Sequence, residues 1–269
     1  MPLYDILNEM AEQQVTKTDT GDNRIFGVMT GVVAKNYDES MPGRVCVTIP
    51  VRDDKANELQ WARVSMPSSG SNWGHYFLPE IGDMVLLAFE QGNIEKPYVI
   101  GCIPKDSDKF HKKSVDQDNQ IKRIMTKNGS YIAFEDNKEG EGDKDKITIH
   151  TAKDAHQILL DNENKVISIQ DKDKKNRITI QTEDGKMLVN AEKKLEIKVG
   201  DVSITINGES GAVNIKCAKL SVKADSSAHI ETDGSAALNG ANVKVEATSN
   251  LALSSSGVAS LTGTPTKLG

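Results

Sequence analysis

Between Ile147 and Leu261 the chain repeats one device: two aliphatic residues two positions apart, then a polar turn. The pairs are Ile147/Ile149, Ile158/Leu160, Ile167/Ile169, Ile178/Ile180, Leu195/Ile197, Ile204/Ile206, Val213/Ile215, Leu220/Val222, Ala228/Ile230, Ala236/Leu238, Val243/Val245, Leu251/Leu253 and Ala259/Leu261. Met187–Asn190, with Leu188 and Val189 adjacent, fills the remaining gap less cleanly. Alternate side chains of a strand share a face, so each pair marks a short strand with two residues on one side. Second members from Ile215 to Leu261 are spaced 7, 8, 8, 7, 8 and 8; before Ile197 the steps are mostly nine to eleven. A repeat of this kind governs the fold before any other signal does.

One unit cannot stand alone. Burying two aliphatic side chains does not offset the entropy of ordering the backbone of about eight residues. Stacked neighbours supply hydrogen bonds, but the apolar face, two residues wide, still needs a cover. A single-chain β-helix closes that face with its own coils, and a left-handed one carries a six-residue beat that seven to eight does not match. Three identical chains wound together solve the problem differently, each giving one face to a dry axis. Spacing alone does not count chains. On this reading the axial residues at the slender end are Ile215, Val222, Ile230, Leu238, Val245, Leu253 and Leu261. No aromatic residue follows Phe134, and only Pro265 among the eight prolines lies beyond Pro104. Both absences suit a tight axis and an unbroken ladder.

The same compositional break divides the chain. From Phe26 to Pro104 five strand-like runs are separated by Gly, Pro, Asn and Asp, which predicts a small closed barrel such as an OB-fold. Val45, Val47 and Ile49 alternate with polar residues or Cys46 as a half-buried strand should. "LPEIGDMV" (Leu78–Val85) predicts a Gly-Asp turn before the next strand. The expected organisation is an N-terminal arm (1–24), a barrel (25–104), a polar linker (105–122) and a β needle (123–269). In the arm, Leu3, Ile6, Leu7 and Met10 fall on one helical face. The fold class is all-β: a small barrel, an intertwined trimeric needle and a short helical arm.

Charge and cysteine usage exclude some functions. A net charge of −6 argues against a nucleic-acid partner. Cys46, Cys102 and Cys217 form no C-x-x-C pair and read as free thiols of a reducing compartment. "MPLYDILNEMAEQQ" has no basic n-region, and no apolar run is long enough to span a bilayer. The expectation is folding in the cytoplasm.

At this point specific residues carry a resemblance. Gly43-Arg44-Val45, Trp73-Gly74, Phe77-Leu78-Pro79-Glu80, Gly82-Asp83, Pro97 and Ile100-Gly101 resemble the OB domain of contractile-injection spike proteins. That family includes phage baseplate assembly protein V and type VI secretion spikes of the valine-glycine repeat class. The match spans about Phe26 to Ile103. The repeat, with "NGSYIAFED" leading in and "LTGTPTKLG" at the end, resembles the family's triple-stranded β-helix. The resemblance implies a homotrimeric baseplate spike of a phage, a phage-tail-like bacteriocin or an extracellular injection particle. It implies a trimeric hub protein at the OB end, for which Leu3, Ile6, Leu7 and Met10 are the candidate contact. It implies a conical PAAR-type tip protein at the C-terminal end, for which Lys267, Leu268 and Gly269 are the candidate contact. The target cell envelope would be touched only transiently. The interval from Pro104 to Lys122 is too short for the lysozyme domain some members insert there. The histidines His75, His111, His150, His156 and His229 form no His-x-His pair. No enzyme activity, cofactor or metal is expected, and a separate hub chain is.

Other signals read blandly. Asp143/Asp145 and Asp171/Asp173 lack the rest of a calcium loop and are expected in solvated turns. Trp61, Trp73, Tyr76 and Phe77 are expected in barrel core or subunit contacts rather than stacking bases. His75 has no evident catalytic partner, His229 takes an outward slot, and Asn128-Gly129 is a turn. Two rivals stay open: a secreted single-chain β-helix polysaccharide-active enzyme with an OB-like module, and an OB-fold nucleic-acid binder with a trimerising tail.

Overall fold

The computed structural model describes residues 3–18, 21, 23–49 and 60–265. The chain divides into two compact units, Met1–Lys194 and Leu195–Gly269.

In the first unit, β1 (Met29–Lys35), β2 (Arg44–Thr48), β3 (Gln60–Val64), β4 (Met84–Phe89) and β5 (Pro97–Cys102) close into a barrel in the order β1-β2-β3-β5-β4. Only β3 and β5 pair in parallel; the other pairings are antiparallel. This is the OB-type barrel expected from the run of short strands. Its core is built from alternate positions: Val33, Val45, Val47, Ile49, Ala62, Val85, Leu87 and Val99 are sealed, with Phe89 and Ile94 beside them. Cys46 departs from simple alternation, since it too is buried. Gly31 is required where β1 crosses the core, because a Cβ there would lie 2.7 Å from Leu87 Cδ1. A register shift between Val33 and Lys35 then bends β1 out of its ladder with β2. The Gly-Asp turn forms as expected: Gly82 has φ +90°, and the Asp83 N–H donates to Glu80 O at 3.0 Å.

An amphipathic helix, α1 (Leu3–Thr16), precedes the barrel. It outruns the Leu3–Met10 face by more than a turn, ending where Thr16 Oγ1 donates to Glu12 O at 2.7 Å. The segment that follows links its foot to the β4–β5 turn, since the Arg24 N–H donates to Thr16 O at 2.8 Å. The Ile25 N–H donates to Gly92 O at 2.9 Å, and Arg24 Nη1 to Gln91 O at 2.9 Å. β4 ends and β5 begins at this turn, whereas the chain leaves the barrel at the far end of β5. The helix foot and the exit toward the repeat therefore lie at opposite ends of the barrel.

Residues 105–122, expected as linker, contain a short helix, α2 (Lys109–Ser114), and the next strand starts inside that interval. The strands β6 (Ile121–Met125), β7 (Tyr131–Glu135), β8 (Lys146–His150), β9 (His156–Asp161), β10 (Val166–Asp171), β11 (Arg177–Gln181) and β12 (Lys186–Asn190) form one sheet in sequence order. Every neighbouring pair is antiparallel. Its internal ladders are thus satisfied inside the chain, with β6 and β12 as its edges. The Asn128-Gly129 turn joins β6 to β7, with Gly129 at φ +95°.

In the second unit, β13 (Lys194–Val199), β14 (Val202–Asn207) and β15 (Ala212–Lys216) form a three-stranded sheet, again in sequence order. Residues 217–265 form no strand. The repeat is still visible there, since bends recur at 225–226, 233–234, 241–242, 248–249 and 256–257. The strands expected at Leu220/Val222 and beyond are absent within one chain. A strand exists through its ladder, and among the described residues no second segment lies alongside to complete one.

Candidate functional site

The register of the seven-stranded sheet sorts the apolar pairs into two rows across it. One row runs Ile124, Ile132, Ile149, Ile158, Ile169, Ile178, Val189. The adjacent row runs Phe134, Ile147, Leu160, Ile167, Ile180, Met187. All but the half-buried Ile180 are exposed, from 36% at Ile158 to 65% at Met187. In the second unit, Ile204 pairs with Ile215 and Ile206 with Val213, and these too are open. A contiguous apolar face of this extent marks an interaction surface, unlike apolar side chains scattered singly.

The other face of the sheet is polar and packs on itself. The rings of Tyr131 and His150 stack at 4.8 Å and 6°, and His150 Nδ1 lies 3.0 Å from Asp154 Oδ1. Gln170 donates its amide to Gln157, and Ser168 is buried between rows. Carboxylates hold the connecting turns. Asp171 accepts from Asn176 Nδ2 at 2.6 Å and from the Lys175 N–H at 2.9 Å; these bonds hold its carboxyl below the usual range. Asp161 is buried, which pushes its carboxyl up. The Asn164 amide and N–H, each at 2.9 Å, and Lys146 at 3.7 Å outweigh that and lower it. Asp145 likewise accepts the Asn137 N–H at 2.8 Å. Asp171 and Asp145 thus tie turn backbone, a role that sequence reasoning had left to solvent. Among the described residues no cluster of three or more His, Cys, Asp or Glu is arranged to hold a metal ion.

The candidate contact residues are accessible in the single chain. Leu3, Ile6, Leu7 and Met10 are exposed along α1, and so are Tyr4 and Val15. Ile215, Val222, Ile230, Leu238, Val245, Leu253 and Leu261 are all more than half exposed, Ile230 reaching 93%. Lys267, Leu268 and Gly269 lie outside the described residues.

On the barrel, Trp61 is half-buried, and Trp73, Tyr76 and Phe77 are exposed, so none belongs to its core. A small hairpin explains this. Ser69 bridges Gly74, and the chain folds back so that Ser68 Oγ lies 2.9 Å from His75 Nδ1. Gly74 is required there, with φ +148° and Ser68 O only 2.8 Å from where a Cβ would sit. The Gly70 and Gly74 spacing was the available signal for this Ser–His contact, which the sequence reading missed. Both residues are accounted for by the hairpin, and no carboxylate joins them among the described residues. Burial pushes the Cys46 thiol up, away from reactivity. His229 lies 3.2 Å from Glu231 in a segment whose side chains are all exposed, the neighbouring Ile230 included. No described helix is long and apolar enough to cross a membrane.

Residues 29–103 match the family described as the type VI secretion system/phage-baseplate injector OB domain. Two curated relatives are the type VI secretion system spike proteins VgrG1a and VgrG1c of Pseudomonas aeruginosa. Each is 37% identical to this chain over 54 residues, 19% of its length. The match covers 8% of the first relative and 7% of the second. Over residues 29–103 this chain carries an OB domain of the type VI secretion system/phage-baseplate injector kind.

Proposed function

We propose that the chain is the central spike of a contractile injection machine, assembled as a homotrimer whose axis is the two-row apolar face. The observation that carries this reading is the open face itself. Its rows run across seven strands, reappear in β14 and β15, and continue as a regular beat to Leu261 with no cover among the described residues. Three copies facing one another around an axis bury all of it at once. The work is mechanical, not enzymatic: a stiff hydrogen-bonded rod transmits the force of contraction to a tip and through the target cell envelope. Such a spike acts at the baseplate of an extracellular or tail-like particle after assembly in the bacterial cytoplasm.

The architecture supports a division of labour along the needle. Within β6–β12 and again within β13–β15 each copy makes its own ladders, so the three copies contribute three sheets of each kind. From 217 onward no ladder forms within one copy, so there the three chains wind around each other and hydrogen-bond between copies. Intertwining is confined to the slender end. At the opposite extreme, α1 presents Leu3, Ile6, Leu7 and Met10 at the end of the barrel away from the repeat, the side on which a trimeric hub sits. The PAAR-type tip protein sits beyond Leu261, on Lys267–Gly269. The single-chain β-helix enzyme is disfavoured because such folds stack parallel coils, whereas neighbouring strands pair antiparallel throughout the seven-stranded sheet.

Light scattering, with denaturing electrophoresis with and without boiling, tests the reading. The expected species has three times the 29.3 kDa chain mass and survives detergent until boiled. A folded, β-rich single chain of 29.3 kDa overturns it.

A further inference from the structure

Arg44 and Arg63 stand directly opposite each other across the β2–β3 ladder. Their neighbours Val45 and Ala62 point into the core, so both arginines lie on the outer surface. Like charges directly opposed across strands repel. Among the described residues neither guanidinium has an ion-pair or side-chain hydrogen-bond partner. Glu90, which feels the charge of Arg63, is already engaged by the Tyr98 hydroxyl at 3.0 Å and by Lys96 at 3.4 Å. Glu95 lines the same pocket as the two arginines, but among the described residues no carboxylate is bonded to either guanidinium.

The chain also carries carboxylates without cations. α1 has Asp5, Glu9 and Glu12, no Lys or Arg, and no partner for any of the three side chains among the described residues. At 100° per residue these acids occupy the arc opposite Leu3, Ile6, Leu7 and Met10. The spacings agree. Asp5 and Glu9, one turn apart, project about 6 Å from each other, and directly opposed residues of an antiparallel pair are about 5 Å apart. The locations agree too. The Arg24 N–H is bonded to Thr16 O at the end of α1, Arg24 and the next residue, Ile25, are bonded to Gln91 and Gly92, and Glu90, Lys96 and Tyr98 beside the arginines belong to the same β4–β5 hairpin. Within its own chain α1 lies on nothing, since all its described side chains are exposed.

We infer that α1 of one copy lays its acidic face on the Arg44–Arg63 pair of the next copy. The inference rests on the homotrimer proposed above. Each copy gives one helix and receives one, a head-to-tail contact that closes after three. Paired charge-assisted hydrogen bonds replace the repulsion between the arginines. The clasp leaves Leu3, Ile6, Leu7 and Met10 facing outward for the hub, so the helix serves both contacts with different faces.

Two measurements on the full chain test this. The first is hydrogen exchange of the α1 amides, with the particle mass monitored by light scattering. Arg44→Glu with Arg63→Glu is expected to lower α1 protection tenfold or more while the trimer mass persists. Adding Asp5→Lys and Glu9→Lys is expected to restore it. Arg44→Gln with Arg63→Gln serves if the double reversal fails to fold. The second is a cross-link: Glu9→Cys with Arg63→Cys, oxidised and boiled without reductant, is expected to give a ladder of covalent multimers absent from the parent chain. Protection that survives loss of both arginines overturns the clasp and leaves the pair to another anionic partner. A cross-link that leaves the single-chain mass places the helix on its own barrel and overturns it as well. A trimer with unprotected α1 overturns the clasp alone, whereas a monomer overturns the trimer with it.

Discussion

In the barrel, Val45, Val47, Val85 and Leu87 are completely buried; in the sheet that follows, Ile149 and Ile158, at equivalent alternating positions, are more than a third exposed. Both regions are built from five- to seven-residue strands with aliphatic side chains on one face. The difference is closure. Five strands that return to their start enclose their own apolar faces, and a bulge in β1 with Gly31 against Leu87 lets that happen. Seven strands in strict sequence order make a sheet with two edges, and its inner face stays open whatever its side chains are. An identical alternation can therefore specify either a finished domain or one component of an assembly.

Three changes would break or sharpen that contrast. The largest effect is expected from Leu238→Asp. If Leu238 lies on the shared axis, three carboxylates meet there without partners, a cost no trimer of the slender segment survives. The detergent-resistant species should vanish from boiled-versus-unboiled electrophoresis, while the barrel still unfolds cooperatively. A resistant trimer carrying this change would remove Leu238 from the axis. Next is Leu87→Ala, which leaves a cavity in a core the chain seals by itself. It should cost about 2–5 kcal/mol of barrel stability, read by chemical denaturation followed at Trp61, with the trimer mass unchanged. The smallest is Asp161→Asn in the sheet, about 1 kcal/mol at neutral pH through weakened turn bonds. Its value lies in the pH dependence. The Asp161 and Asp171 carboxyls are lower in the folded chain than in the unfolded one. Their stabilisation is complete above the ordinary aspartate range near about 3.9, and it is lost as pH falls through the lowered folded values. The unfolding midpoint of the parent sheet should drop across that acid window, and Asp161→Asn should flatten part of the drop.

Much of this was legible before any coordinates. The two-apart aliphatic pairs marked the strands, their faces and their turns from Ile147 to Ile215. Five runs with Gly, Pro and Asp between them marked the barrel, and Leu3, Ile6, Leu7 and Met10 marked the helix. These are local signals, carried by residues within one turn or one strand. The antiparallel meander was not legible, because a pair of alternating isoleucines reads the same whether its ladder runs to its own neighbour or to another chain. The Arg44–Arg63 opposition and the Ser68–His75 contact were missed for related reasons. The first joins residues brought together by β2–β3 register, and the second needs a hairpin that two glycines only permit.

Sequence alone determined where the apolar side chains fall and how often the chain turns, since periodicity and turn chemistry are properties of neighbouring residues. Only the tertiary structure decided which of those faces closes and which stays open. Closure depends on strand order and register, and those are set by contacts between residues far apart in the chain.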